Sequence, residues 1–143
     1  MLVLFVCRAN QGRSVMSEAL LTRAAAGRHT AVSAGSEAQP GGAPHPLVVE
    51  AMREIGIDVS AHEPRRLTPA IAAEADAVIT MGCGDACPVI PGRKQLRSDW
   101  DLADPKDASL AEVRAVRDAI GPRVDALVAQ LDLDEKTPVQ PND

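Results

Sequence analysis

The sequence predicts a single α/β domain, a parallel four-stranded sheet with helices on both faces, and three observations carry that prediction. Short apolar runs alternate with helical patterns along the chain. The first run, Leu2 to Val6, is apolar at every position, as expected of a central strand buried on both faces. Strands separated by helices require right-handed crossovers, which make neighbouring strands parallel.

Each element has its own signal. After the first strand, Val15, Met16, Ala19, Leu20 and Arg23 recur at helical spacing, and Gly27 ends the helix. A second strand is expected over 30–33, followed by a loop over 34–43 rich in Gly, Pro and Ser. Pro46 opens a helix that runs to Ile55 and is closed by Gly56. Thr68 before Pro69 starts a short helix, 77–81 is a third apolar strand, and a fourth short strand lies near 95–97. Ser109 and Glu112 form a capping box, and Leu110, Val113, Val116, Ile120, Val124, Leu127 and Leu131 give the last helix its buried stripe. Residues 135–143 read as a flexible tail, leaving 1–134 as the domain.

Composition narrows the function classes. A chain of 143 residues with 45% hydrophobic and 24% charged residues suits one domain with a full core. A net charge of −5 argues against a nucleic-acid partner. No apolar run approaches the ~20 residues of a membrane span, and the opening run is too short for a signal-peptide core, so a cytoplasmic protein is expected, and a monomer because no long apolar stripe remains once the core is assigned. Three cysteines, an odd number, point to catalytic or redox thiols rather than a disulfide framework.

The most informative segment is Cys7-Arg-Ala-Asn-Gln-Gly-Arg13-Ser14, directly after the first strand. If this loop curls so that its N–H groups converge and a helix begins near Ser14, it forms a nest for a tetrahedral oxyanion with Cys7 at its floor. Arg8, Ala9, Asn10, Gln11, Gly12, Arg13 and Ser14 are the oxyanion-binding candidates. The amide dipoles and the Arg13 guanidinium favour a thiolate nucleophile. Arg13 offers a planar fork to two ligand oxygens, and the Ser14 hydroxyl can donate to the sulfur. Asn10 and Gly12 suit the backbone angles of such a curl. The plain alternative is a buried cysteine before an ordinary strand-to-helix turn.

Two further segments fall where ligands bind in parallel sheets, beyond the carboxyl ends of the strands. Cys83 and Cys87 follow the third strand four residues apart, among Gly82, Gly84 and Pro88. They suggest a thiol relay onto an adduct at Cys7, against the alternatives of inert core cysteines, a structural disulfide or half of a metal site. The acidic loop 98–107 supplies Asp104, held extended before Pro105, as a candidate proton donor to a leaving oxygen, with Asp99, Asp101 and Asp107 as rivals. A solvated acidic loop is the competing reading.

Together these residues resemble the arsenate reductases that share the low-molecular-weight protein tyrosine phosphatase fold. The resemblance runs from Leu2 to about Leu131 and rests on the Cys7 to Ser14 loop, Ser33-Ala-Gly35, the run from His45-Pro46 through Met52 to Ser60, the Cys83/Cys87 segment and Asp104-Pro105. It implies that Cys7 attacks arsenate held by Arg13 and the loop amides while Asp104 protonates the leaving oxygen. It further implies that Cys83 attacks Cys7, that Cys87 attacks Cys83, and that thioredoxin reduces the resulting disulfide. Phosphate and sulfate would compete as anions. No cofactor is required, although the resemblance implies a potassium ion at Asn10, Glu18, Ser33 and Asp58.

Two departures stand out. The redox cysteines are closer together than in better-known members of this branch, and Arg8 and Gln11 bring a cation and an amide into the anion loop. The rival reading is a tyrosine phosphatase working through a phosphocysteine at Cys7. Phosphotyrosine needs an apolar or aromatic slot, whereas this chain has no Tyr, one Phe and one Trp, and places Lys106 after the Asp-Pro pair. A non-enzymatic redox or arsenite sensor is the third class.

Overall fold

A computed structural model describes residues 1–81, 94–103 and 109–136. The chain order is β1 (Leu2–Cys7), α1 (Arg13–Ala25), β2 (Thr30–Gly35), α2 (Pro46–Arg53), α3 (Pro69–Glu74), β3 (Ala77–Thr80), β4 (Leu96–Asp99) and α4 (Leu110–Lys136). The strands form one parallel sheet in the order β2-β1-β3-β4. The chain leaves β1 toward β2 on one side and later returns to β3 on the other. The carboxyl end of β1, occupied by Cys7, is therefore the switch point of strand order.

Alternation along β1 divides the core. Val3, Phe5 and Cys7 join the larger apolar cluster with residues of α1, α2 and α4, while Leu4 and Val6 pack with Val78, Ala72 and Ala75 on the α3 side. Phe5 is fully buried and lies 5.6 Å, centroid to centroid, from the buried Trp100. Burial of β1 on both faces explains why its sequence shows no polar alternation.

The helix boundaries follow local chemistry. His45 caps α2, its Nδ1 accepting from the Leu47 N–H at 3.1 Å, with Pro46 in the first turn. Thr68 caps α3 by accepting from the Ile71 N–H, and the Ser109 hydroxyl accepts from the Glu112 N–H at the start of α4. The buried stripe of α4 includes Val113, Val116, Ile120, Val124, Leu127 and Leu131. The helix runs through Lys136, so residues 135 and 136, expected in the tail, are helical. Glu135 is held because its carboxylate accepts from the Met1 ammonium at 3.1 Å. Among the described residues, no helix is long and apolar enough to cross a membrane.

Candidate active site

The loop after β1 folds against the end of β2. Ser36 N–H donates to the Cys7 carbonyl at 3.0 Å and Glu37 N–H donates to the Arg8 carbonyl at 2.8 Å. This close approach requires glycine at position 35. A Cβ there would stand 2.6 Å from the Arg8 oxygen and 2.8 Å from the Asn10 nitrogen, both backbone atoms that cannot move aside independently. Asn10 takes a left-handed conformation, with φ of 56°, which turns the chain back toward α1. Gly12 then caps α1 without any side-chain acceptor, and α1 begins at Arg13, one residue before the expected start. No side chain caps this helix start, and the positive end of its dipole favours an anion.

Cys7 is buried at the floor of this loop, with its sulfur 2.8 Å from Ser14 Oγ. The neighbours of that pair leave the serine proton available to the sulfur. Arg65 N–H donates to Asn10 Oδ1 at 2.9 Å, which fixes the Asn10 amide so that Nδ2 donates to Ser14 Oγ at 2.8 Å. The serine oxygen accepts from Asn10 and keeps its own proton available, so it donates to Cys7 when the sulfur is a thiolate, which can only accept. His62 Nε2 lies 3.0 Å from the same Asn10 Oδ1 and must donate to it, since that oxygen has no proton. On its other side, His62 Nδ1 lies 3.8 Å from Glu18 Oε2, which pairs with it when the imidazole is protonated. Burial pushes the Glu18 carboxyl above its ordinary range, with His62 and the Ser33 hydroxyl opposing that shift.

Arg13 is largely buried, and its Nη1 donates to the carbonyl oxygens of Met81 at 2.6 Å and Leu102 at 3.2 Å. Those acceptors follow β3 and β4, so the ends of three strands meet at one guanidinium. A cavity of about 330 Å³ opens above Cys7, and Arg8, Ala9, Gln11, Gly12 and Arg13 line its base and wall. Glu37, Gln39, His45 and Val48 contribute to the same lining. Gln11 is tied down through Nε2 to the Ala43 carbonyl at 3.0 Å. Asn10 and Ser14, also named as oxyanion candidates, are fully buried and act on the thiol and the loop from behind.

Cys83, Cys87, Asp104 and Asp107 lie outside the described residues. Of the other carboxylates named with Asp104, Asp99 accepts from Thr80 Oγ1 at 2.6 Å on the exposed strand β4, and Asp101 is exposed. Sequence spacing missed His62 and Arg65, which act on Asn10 from 52 and 55 residues away, and the two carbonyls that hold Arg13.

Three of the four positions named for potassium are brought together by the structure. Asn10, Glu18 and Ser33 belong to one linked group, but its polar atoms are already engaged by protein donors. Asn10 Oδ1 accepts from both His62 and Arg65, and the Ser33 hydroxyl donates to Glu18 Oε1 at 3.2 Å. Asp58 instead accepts from the Ser60 N–H at 2.9 Å, and that contact holds its carboxyl below the usual range. Among the described residues, no group of three or more His, Cys, Asp or Glu side chains is placed to hold a metal ion.

The chain is 34% identical to a glutaredoxin arsenate reductase from Synechocystis over 130 residues, covering 90% of this chain and 97% of the relative. A solved thioredoxin-dependent arsenate reductase from Corynebacterium glutamicum superposes with a TM-score of 0.78 at 36% identity, covering 93% of this chain and 62% of that one. An arginine phosphatase from Geobacillus stearothermophilus superposes with a TM-score of 0.81 at 26% identity, covering 97% of this chain and 99% of that one. The same fold therefore carries both reductases and phosphatases. The family model for low molecular weight phosphotyrosine protein phosphatases matches residues 2–137, and with the loop, the buried thiol and the anchored arginine described above, this chain belongs to that family.

Proposed function

We propose that this protein reduces arsenate to arsenite. The observation that carries the reading is the character of the cavity above Cys7: loop residues Arg8, Ala9, Gln11 and Gly12 and a buried arginine around a thiol hydrogen-bonded to Ser14, with no Phe, Tyr or Trp in the lining among the described residues. Both aromatic residues of the chain, Phe5 and Trp100, are in the core and pack on each other, so no phenyl or indole ring is available to grip a phosphotyrosine. A small inorganic oxyanion needs no such ring. The arsenate reductases among the relatives support the same substrate class.

In this reading the Cys7 thiolate attacks arsenic(V), and an arsenate oxygen leaves as water after taking protons, one of them from Asp104. The loop amides and Arg13 stabilise the negative oxygens as the S–As bond forms. Cys83 as thiolate then attacks the Cys7 sulfur. The S–As bond breaks and its electron pair stays on arsenic, so arsenic(III) leaves while the two sulfurs are oxidised to a disulfide. Cys87 attacks Cys83, which returns Cys7 as a thiolate and leaves a Cys83–Cys87 disulfide. A thioredoxin dithiol reduces that disulfide and is itself oxidised.

The second reading is a phosphatase, favoured by the oxyanion nest itself, which holds phosphate as readily as arsenate, and by the arginine phosphatase of the same fold. A sensor of arsenite or redox state is the non-enzymatic third. NADPH consumption with thioredoxin and thioredoxin reductase, with and without arsenate, separates the three. Arsenate-dependent turnover lost in Cys7→Ser, Cys83→Ser and Cys87→Ser supports the reductase and its relay. Absence of turnover in the wild type, beside Cys7-dependent hydrolysis of an aryl phosphate or a phosphoarginine, replaces it with the phosphatase. Absence of both activities leaves the sensor.

A further inference from the structure

The geometry points to Glu37 as the residue that limits how tightly the pocket holds a tetrahedral dianion, by engaging Arg8 at the rim. This rests on the oxyanion-pocket reading and names a pair that tunes the affinity of that pocket for its anion. Arg8 directly follows the nucleophile and lines the cavity, yet its side chain is 62% exposed. Its Nε lies 3.7 Å from Glu37 Oε2, on a side chain 66% exposed. The pairing is prepared by the backbone, because Glu37 N–H donates to the Arg8 carbonyl at 2.8 Å and Ser36 N–H to the Cys7 carbonyl at 3.0 Å. Gly35 is what lets the two backbones come so close.

Two consequences follow for an incoming anion. Arg8 is countered by a carboxylate, so its field at the mouth is largely cancelled. Glu37 also places a negative charge on the path of a dianion. The buried Arg13 and the loop amides remain the main binding elements, and the rim pair trims their attraction. Arsenate, phosphate and sulfate share the chemistry concerned, a compact tetrahedral anion, and all three are affected together. The size of the effect is bounded because both side chains are exposed and screened by salt.

The test uses inorganic phosphate, which needs no reductase activity. Its protection of Cys7 against iodoacetamide is followed by mass spectrometry of the Cys7 peptide in the full chain. Glu37→Gln is expected to lower the half-protecting phosphate concentration about two- to fivefold at low ionic strength. The difference should collapse toward the wild type at about 1 M salt, where the Debye length is about 3 Å. Arg8→Gln should raise that concentration, and adding Glu37→Gln to it should give a clearly smaller gain than in the wild type. An unchanged or weaker phosphate affinity in Glu37→Gln overturns the proposal, as does a gain that persists in full without Arg8. Phosphate that fails to protect wild-type Cys7 at any concentration overturns the oxyanion pocket, and the rim pair with it. Clean protection without arsenate turnover leaves the rim pair standing and removes only the reductase.

Discussion

Arg65 N–H donates to Asn10 Oδ1 at 2.9 Å, and this contact sets the sense of the hydrogen bonds that lead to the Cys7 sulfur. A backbone amide can only donate, so the Asn10 oxygen faces Arg65 and His62 while its nitrogen faces Ser14. With Cys7 as a thiolate, which can only accept, the serine hydroxyl donates to the sulfur. The nucleophile is thus prepared by a residue more than fifty positions away that never touches it.

Ser14→Ala removes the donor to the sulfur and leaves the Asn10 Nδ2 without its acceptor. Hydrogen bonds to charged groups contribute about 1.5–3 kcal/mol, so the rate of Cys7 alkylation at neutral pH should fall roughly tenfold or more, with circular dichroism unchanged. Iodoacetamide kinetics check this. An unaltered rate would show that the serine does not support the thiolate.

Gly35→Ala pushes a methyl group into the Arg8 carbonyl and the Asn10 amide. Overpacking of this kind costs about 1–3 kcal/mol, and here it displaces the loop as well. A lowered Tm together with weakened phosphate protection of Cys7 is the expected result. A normal Tm with normal protection would contradict the tight approach of β2 to the loop.

Arg13→Lys keeps the charge but loses the planar fork and its donors to the Met81 and Leu102 carbonyls. By the usual effect of removing one oxyanion donor, kcat/KM for the oxyanion substrate should drop about 10²–10³-fold. A loss below tenfold would mean that charge alone suffices and that the anchored geometry is unimportant.

Glu54 joins the end of α2 to α4 through Arg114 and Arg117, and their hydrogen bonds lower its carboxyl from 4.5 to about 2. A depressed folded value means that the pair supports the fold above the unfolded value of 4.5 and that this support is lost as pH falls toward about 2. The stability gap between wild type and Glu54→Gln should therefore be present at neutral pH and shrink across that acid window. Urea unfolding of both proteins at several pH values measures it, and a gap that is constant with pH would refute the linkage.

What the amino-acid sequence determined by itself was local. The continuous apolar run of β1, the proline-led starts at Pro46 and Pro69 and the Ser109 cap specify their elements through contacts a few residues long, and they reappear where expected. The Cys7 to Ser14 loop was legible for the same reason, since nucleophile, loop amides and helix start are contiguous. The tertiary structure alone decided what holds that loop. The His62 and Arg65 contacts to Asn10, the Met81 and Leu102 carbonyls on Arg13, and the Arg8 and Asn10 backbone packed against Gly35 involve backbone atoms or distant partners. A backbone N–H or carbonyl is carried by nearly every residue and leaves no mark in composition or spacing; only the packing of β1 between β2 and β3 brings those groups to the thiol.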